Sequence, residues 1–72
     1  MSMYTGIVKN FDIKMGFGFI TREDTQDDIF VYVTAFDRTK IRNLHPGQKV
    51  GFDLCNDRGK KMACNVQMIK AY

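Results

Sequence analysis

Two neighbouring stretches, MGFGFITRED at 15–24 and IFVYVT at 29–34, limit the folds open to this chain more than anything else in it. Both alternate with the period of two that a β-strand imposes, because successive side chains leave a strand on opposite faces. Phe17 and Phe19 share one face of the first stretch, with Gly18 and Ile20 on the other. In the second, Phe30 and Tyr32 share a face opposite Ile29, Val31 and Val33. Each strand is apolar on both faces, yet a protein this small has one inside. Burial alone would turn the Phe rings inward. Ile20, Ile29 and Val31 already make a core face, so the aromatic residues on the other side need a use of their own.

The 72 residues form one domain, 1–72. A chain this short buries only about 60% of its unfolded surface, so apolar residues spent on an outer face call for a reason. There is no apolar run near the ~20 residues that span a membrane. The opening MSMYTGIVKN has neither the apolar centre nor the small-residue cleavage site of a secretion signal. A cytoplasmic protein with no membrane contact is expected.

Cys55 and Cys64 are too few for a disulfide scaffold, and with the lone His45 they do not make a zinc motif. Two reduced thiols are expected, with a hairpin disulfide as the alternative should the two positions pair. The net charge of +3, from 11 basic and 8 acidic residues, is modest. Its distribution is uneven: Glu23, Asp24, Asp27 and Asp28 share one short loop, and the rest of the chain is basic. Such segregation can produce a cationic face. No Ser/His/Asp or Cys/His set and no carboxylate pair stands out, so no enzyme activity, cofactor or metal is expected.

Along the chain, strands are expected at 4–11, 17–22, 29–34, 49–54 and 62–70. Residues 12–16 read as a polar turn and 23–28 as an acidic loop; Asp12, Asp27 and Asp28 are expected to be solvated or turn-forming. Residues 35–44 read as a helical turn followed by an extended loop. HPGQ at 45–48 reads as a type II turn, with Pro46 presetting φ and Gly47 supplying the positive φ at the third position. In the fourth strand Val50, Phe52 and Leu54 alternate inward. CNDRGKK at 55–61 reads as a hairpin loop, and Met62, Cys64, Val66 and Met68 share a face of the last strand, which buries Cys64 and leaves Cys55 more exposed. The fold class is all-β, a five-stranded antiparallel barrel, since closure removes the unpaired edges of so small a sheet.

TGIVKNFDIKMGFGFIT, then DIFVYVTAF, then GQKV, resembles a cold-shock domain from about Met3 to Ile69. The glycine–aromatic motif also occurs in RNA recognition motifs, but there it follows the second motif and the domain needs two helices. The resemblance implies an OB-fold barrel that binds single-stranded RNA or DNA as a monomer or weak homodimer. It places Phe17, Phe19 and Phe30 at stacking positions, and Tyr32 where a His is usual. Phe11 matches a family Phe, expected to be half exposed. Lys9 and Lys14 lie where the family is basic, although Met15 stands where a Lys precedes GFGF. Lys60 and Lys61 are surface lysines of which Lys60 is taken as a contact. Asn10, Val33 and Ile41 depart from the pattern, each standing where the family carries an aromatic.

Bases offer π-faces whatever their identity, so exposed rings stack them in succession at roughly 1–3 kcal/mol each, while lysines follow the phosphates. Glycines between the rings keep such a surface flat and allow backbone or base to approach. The competing reading is a divergent relative whose depleted platform has become a protein-interaction or self-association surface with weak nucleic-acid binding. Ile41 and Val33 would supply its apolar contacts.

Overall fold

The computed structural model describes residues 4–69. Lys70 of the expected last strand, Met3 at the start of the resemblance, and the first residues of the N-terminal reading lie outside them. Five strands, β1 (Tyr4–Asp12), β2 (Phe17–Arg22), β3 (Asp28–Tyr32), β4 (Lys49–Asp57) and β5 (Lys60–Met68), close a barrel in the order β1-β2-β3-β5-β4.

The expected wholly antiparallel pairing is corrected at one seam: β3 and β5 run parallel, through Phe30 opposite Met62 and Val31 opposite Ala63. The reason is parity. Strands that alternate direction around a closed ring must be even in number, so five strands leave at least one parallel neighbour pair. Here the long connection from β3 to β4 absorbs the reversal.

The core is Val8, Ile20, Ile29, Val31, Phe36, Ile41, Leu44, Val50, Phe52, Ala63 and Val66. Ile20, Ile29, Val31, Val50 and Phe52 are the inward faces that alternation predicts, and Leu54 packs half-buried against them. Ile41, expected at a surface position vacated by an aromatic, is instead only 8% exposed. Val33 is half-buried against the same core.

The third strand is shorter than expected. Val33 donates its N–H to the Gly16 carbonyl at 2.8 Å, and the chain turns there into a 3-10 turn, Val33–Ala35. The helical turn expected within 35–44 is also there, where the Asp37 carbonyl accepts from the Lys40 N–H at 2.9 Å and the Ile41 N–H at 2.8 Å. In the same turn the Asp37 carboxylate accepts from the Thr39 N–H at 2.9 Å. The HPGQ turn is as expected: Gly47 has φ +92°, and the Gln48 N–H donates to the His45 carbonyl at 3.1 Å.

The β4–β5 hairpin differs most from its sequence reading. The expected loop at 55–61 is almost all strand, since Asp57 pairs with Lys60 across a tight turn of Arg58 and Gly59, with φ values of 54° and 82°. Positive φ at both central residues is the hairpin geometry that matches strand twist. Farther along β5, Asn65 has φ 50°, and the register slips between Gly51 opposite Gln67 and Asp53 opposite Cys64. Asn65 and Val66 together oppose Phe52, a bulge that resets the alternation. Ala63 and Val66 therefore both point inward, and Met62 and Cys64 do not share the Val66 face.

This corrects the reading of the cysteines. Cys55 lies on a strand rather than in a loop, and Cys64 is half-buried on the outer face rather than in the core. Cys55 is opposite Met62, so Cys64 is its diagonal neighbour, and the two are joined by a disulfide with Cα atoms 6.1 Å apart.

Candidate nucleic-acid interface

Ile29 and Val31 are buried in β3, which leaves Phe30 and Tyr32 on the outer face of the barrel. In β2, Gly18 and Ile20 are buried and Phe17 and Phe19 face outward. Antiparallel pairing sets Phe19 opposite Phe30 and Phe17 opposite Tyr32. The rings meet as this register dictates. Phe17 and Phe30 stack diagonally at 5.2 Å and 10°, and Phe19 meets Phe30 edge-on at 5.3 Å. Tyr32 tilts against Phe30 at 4.6 Å. Phe30 is the hub of a four-ring cluster in which Tyr32 is the most open, at 39% exposure.

Phe11 is not part of this cluster. It pairs with Gly18, on the inward side of the β1–β2 ladder, and packs edge-on against buried Phe36 at 5.6 Å. It is half-buried, as expected, but its ring serves the core.

Gly18 allows the close backbone approach expected of it. A Cβ there would collide with the Asn10 carbonyl oxygen and come within 2.6 Å of the Phe11 Cα. The close approach it permits is that of β1, not of a base.

The register of β1 slips between Val8 and Asn10, so Lys9 is an inserted residue and both Lys9 and Asn10 are exposed. Asn10 is opposite Phe19. Asn10, where the resemblance implies an aromatic, thus adjoins Phe19.

The basic residues surround the rings unequally. Lys60 leads β5, and its Nζ lies over the Phe30 ring, 4.1 Å from the centroid. Lys14 is exposed in the turn that leads into Phe17, where the Asp12 carboxylate accepts from the Lys14 N–H at 2.9 Å and the Met15 N–H at 3.2 Å. Met15 is 66% exposed beside the same end of the platform. Lys9 is paired: its Nζ meets the Asp28 carboxylate at 2.7 Å, and the Thr21 hydroxyl donates to the other oxygen at 2.8 Å. Lys9 first and Thr21 second hold the Asp28 carboxyl below the usual carboxylate range.

Asp12 is turn-forming as expected, whereas Asp28 is paired and not simply solvated, and two further acids of the loop are neutralised in the same way. Asp24 forms a two-pronged pair with Arg22, and Glu23 lies 3.5 Å from Lys49. Among the described residues no ion pair holds Lys14, Lys60 or Lys61. Met62, not singled out by sequence, is the β5 neighbour of Phe30 and extends the platform sideways. Its signal was hidden because alternation across the Asn65 bulge assigned it to the core.

Comparison with known proteins agrees with this geometry. The profile of the 'Cold-shock' DNA-binding domain matches residues 4–69. A probable cold shock protein of Sinorhizobium fredii is 45% identical over 67 residues, covering 90% of this chain and 97% of that protein. A cold shock-like protein of Aquifex aeolicus is 42% identical over 66 residues, covering 92% and 94%. The cold shock-like protein CspE of Escherichia coli is 41% identical over 66 residues, covering 92% and 96%.

Proposed function

The chain belongs to the cold-shock domain family, and from that premise we propose that it is a non-enzymatic, cytoplasmic single-stranded nucleic-acid-binding protein acting as an RNA chaperone or regulator. The observation that carries this is the outward-facing cluster of Phe17, Phe19, Phe30 and Tyr32, assembled on a barrel whose core is complete without it. Successive bases stack on these rings, and Lys14 and Lys60 follow the phosphates. Binding the single strand and not the duplex shifts the melting equilibrium by mass action, with no need for ATP.

Lys60 has a defined role in this reading. In the free protein its ammonium rests on Phe30, a contact worth about 0.5–1 kcal/mol at an exposed site. A base stacking there is worth roughly 1–3 kcal/mol, so the base displaces the ammonium and the freed charge moves to a phosphate. Lys9 contributes less, because a phosphate must compete with Asp28 for it.

A salt titration tests the reading. With about two or three phosphate contacts, log affinity for labelled oligo-dT should fall against log salt with a slope of about −1.4 to −2.1, at about −0.7 per contact on single strands. A duplex control should bind far more weakly. A flat salt response would count against phosphate tracking. The interaction-surface reading draws less support from this chain, since Ile41 is buried and Val33 packs on the core.

A second expected result concerns Asn10. Asn10→Trp should add a ring beside Phe19 and tighten oligo-dT binding by about 1 kcal/mol, below the full value of a stack because its surroundings are not adapted to it. Asn10 is exposed, so stability should barely change. Unchanged affinity with a new dimer in sedimentation would favour the self-association surface instead.

A further inference from the structure

Phe30, Met62 and Cys55 form one outward-facing row across three strands, because Met62 is opposite Phe30 on one side and Cys55 on the other. The disulfide to Cys64 therefore lies on the same outer surface as the aromatic cluster, one strand beyond Met62. It closes the hairpin arm whose tip carries Lys60, the ammonium over Phe30. Among the described residues the arm's strand pairing with β3 is short, Phe30–Met62 and Val31–Ala63, with Lys60 resting on Phe30 beside it, so the arm relies for its firmness also on its own closure.

We propose that Cys55 and Cys64 form a thiol–disulfide exchange site whose state sets how firmly this arm is held against the aromatic face and, resting on the binding reading above, the affinity for single strands. The pair is suited to both states. Cys55 is exposed and Cys64 half-buried, so an incoming thiolate attacks the Cys55 sulfur and the Cys64 sulfur leaves. The Cys64 sulfur takes up a proton, and its Sγ lies 3.5 Å from the Asp53 carbonyl oxygen, an acceptor already in place for the new thiol. The second thiol of a dithiol reductant then resolves the mixed disulfide at Cys55. The reductant departs as its own cyclic disulfide, and the protein has gained two electrons and two protons. An oxidised dithiol reverses the sequence. In a compartment that keeps thiols reduced, the bond reports oxidising conditions.

Oxidised protein should bind best: with the hairpin closed only the Lys60 side chain has to swing from Phe30 to a phosphate, whereas a loosened arm must also be ordered on binding. Reduction should weaken binding of labelled oligo-dT about three- to tenfold, the effect of having to immobilise roughly one long side chain on binding. The experiment compares oxidised protein, dithiothreitol-reduced protein and Cys55→Ser/Cys64→Ser, with thiol state read by alkylation and mass spectrometry and folding by circular dichroism. The double variant should match the reduced form and ignore reductant. Hydrogen exchange gives a readout without oligonucleotide: residues 56–63 should exchange faster after reduction. Equal affinity and equal exchange in the two folded states would overturn the proposal, as would thiols that stay fully alkylatable under mild oxidant. If neither state binds single strands, the binding reading fails and with it the control of affinity, while exchange still judges the hold on the arm.

Discussion

Phe17→Ala combined with Phe30→Ala is expected to weaken oligo-dT binding by about 2–6 kcal/mol, because two stacking rings worth roughly 1–3 kcal/mol each are lost together. Phe30 is the larger contributor, since Phe17, Phe19, Tyr32 and Lys60 all lie against its ring. Without it the remaining rings lose the neighbour that orients them. Folding should suffer less. Both rings are half-buried on the outer face, so the stability loss should fall below the ~3–5 kcal/mol of a buried Phe→Ala. Part of that loss is the ring–ring contact itself, worth about 0.5–1.5 kcal/mol beyond area. Urea titration and oligonucleotide titration of the same preparations separate the two effects. A variant that unfolds, yet binds normally in its folded fraction, would make these rings core residues and refute the platform.

The outward ring face was legible because alternation sets the rings apart from the aliphatics and the family resemblance then decides which face is outside. GFGFI and IFVYV each set rings against aliphatics, and the bounds of β2 coincide with the expected 17–22. What stayed hidden were departures from alternation. Lys9 and Asn65 are bulge residues, and an inserted residue leaves no mark in a pattern read as continuous. The Asn65 bulge moved Met62 and Cys64 out of the core, and the tight Arg58–Gly59 turn carried Cys55 onto a strand. Together these turned two expected thiols into a diagonal cross-strand pair. The pairing of Lys9 with Asp28 was hidden for another reason. It joins residues on β1 and β3 across β2, a distance that only the folded sheet makes short. Ile41 shows the limit of family matching: a position taken as surface because relatives carry an aromatic there is filled in this chain by an aliphatic that turns inward.

Gly18 joins the platform to the fold, and Gly18→Ala should cost about 3 kcal/mol of stability, the upper part of the usual overpacking range. Its backbone is not in the left-handed region, so the requirement is for space alone. The added Cβ would meet the Asn10 carbonyl oxygen and, at 2.6 Å, the Phe11 Cα. Both are main-chain atoms, so no side chain can rotate away, and β1 itself must retreat. That movement would draw Phe11 off Phe36 and shift Asn10 relative to Phe19, so the surviving folded protein should also bind oligo-dT more weakly. Gly47→Ala is the appropriate comparison. It has nothing within 4 Å of its Cβ, and its φ of +92° is its only objection to a side chain. There the loss should be about 1 kcal/mol, the ordinary cost of forcing an L-residue into the left-handed region. Urea midpoints of the two variants decide the matter. Equal losses would mean that β1 yields easily at the Lys9 bulge and that the tight β1–β2 approach does not hold the rings in place.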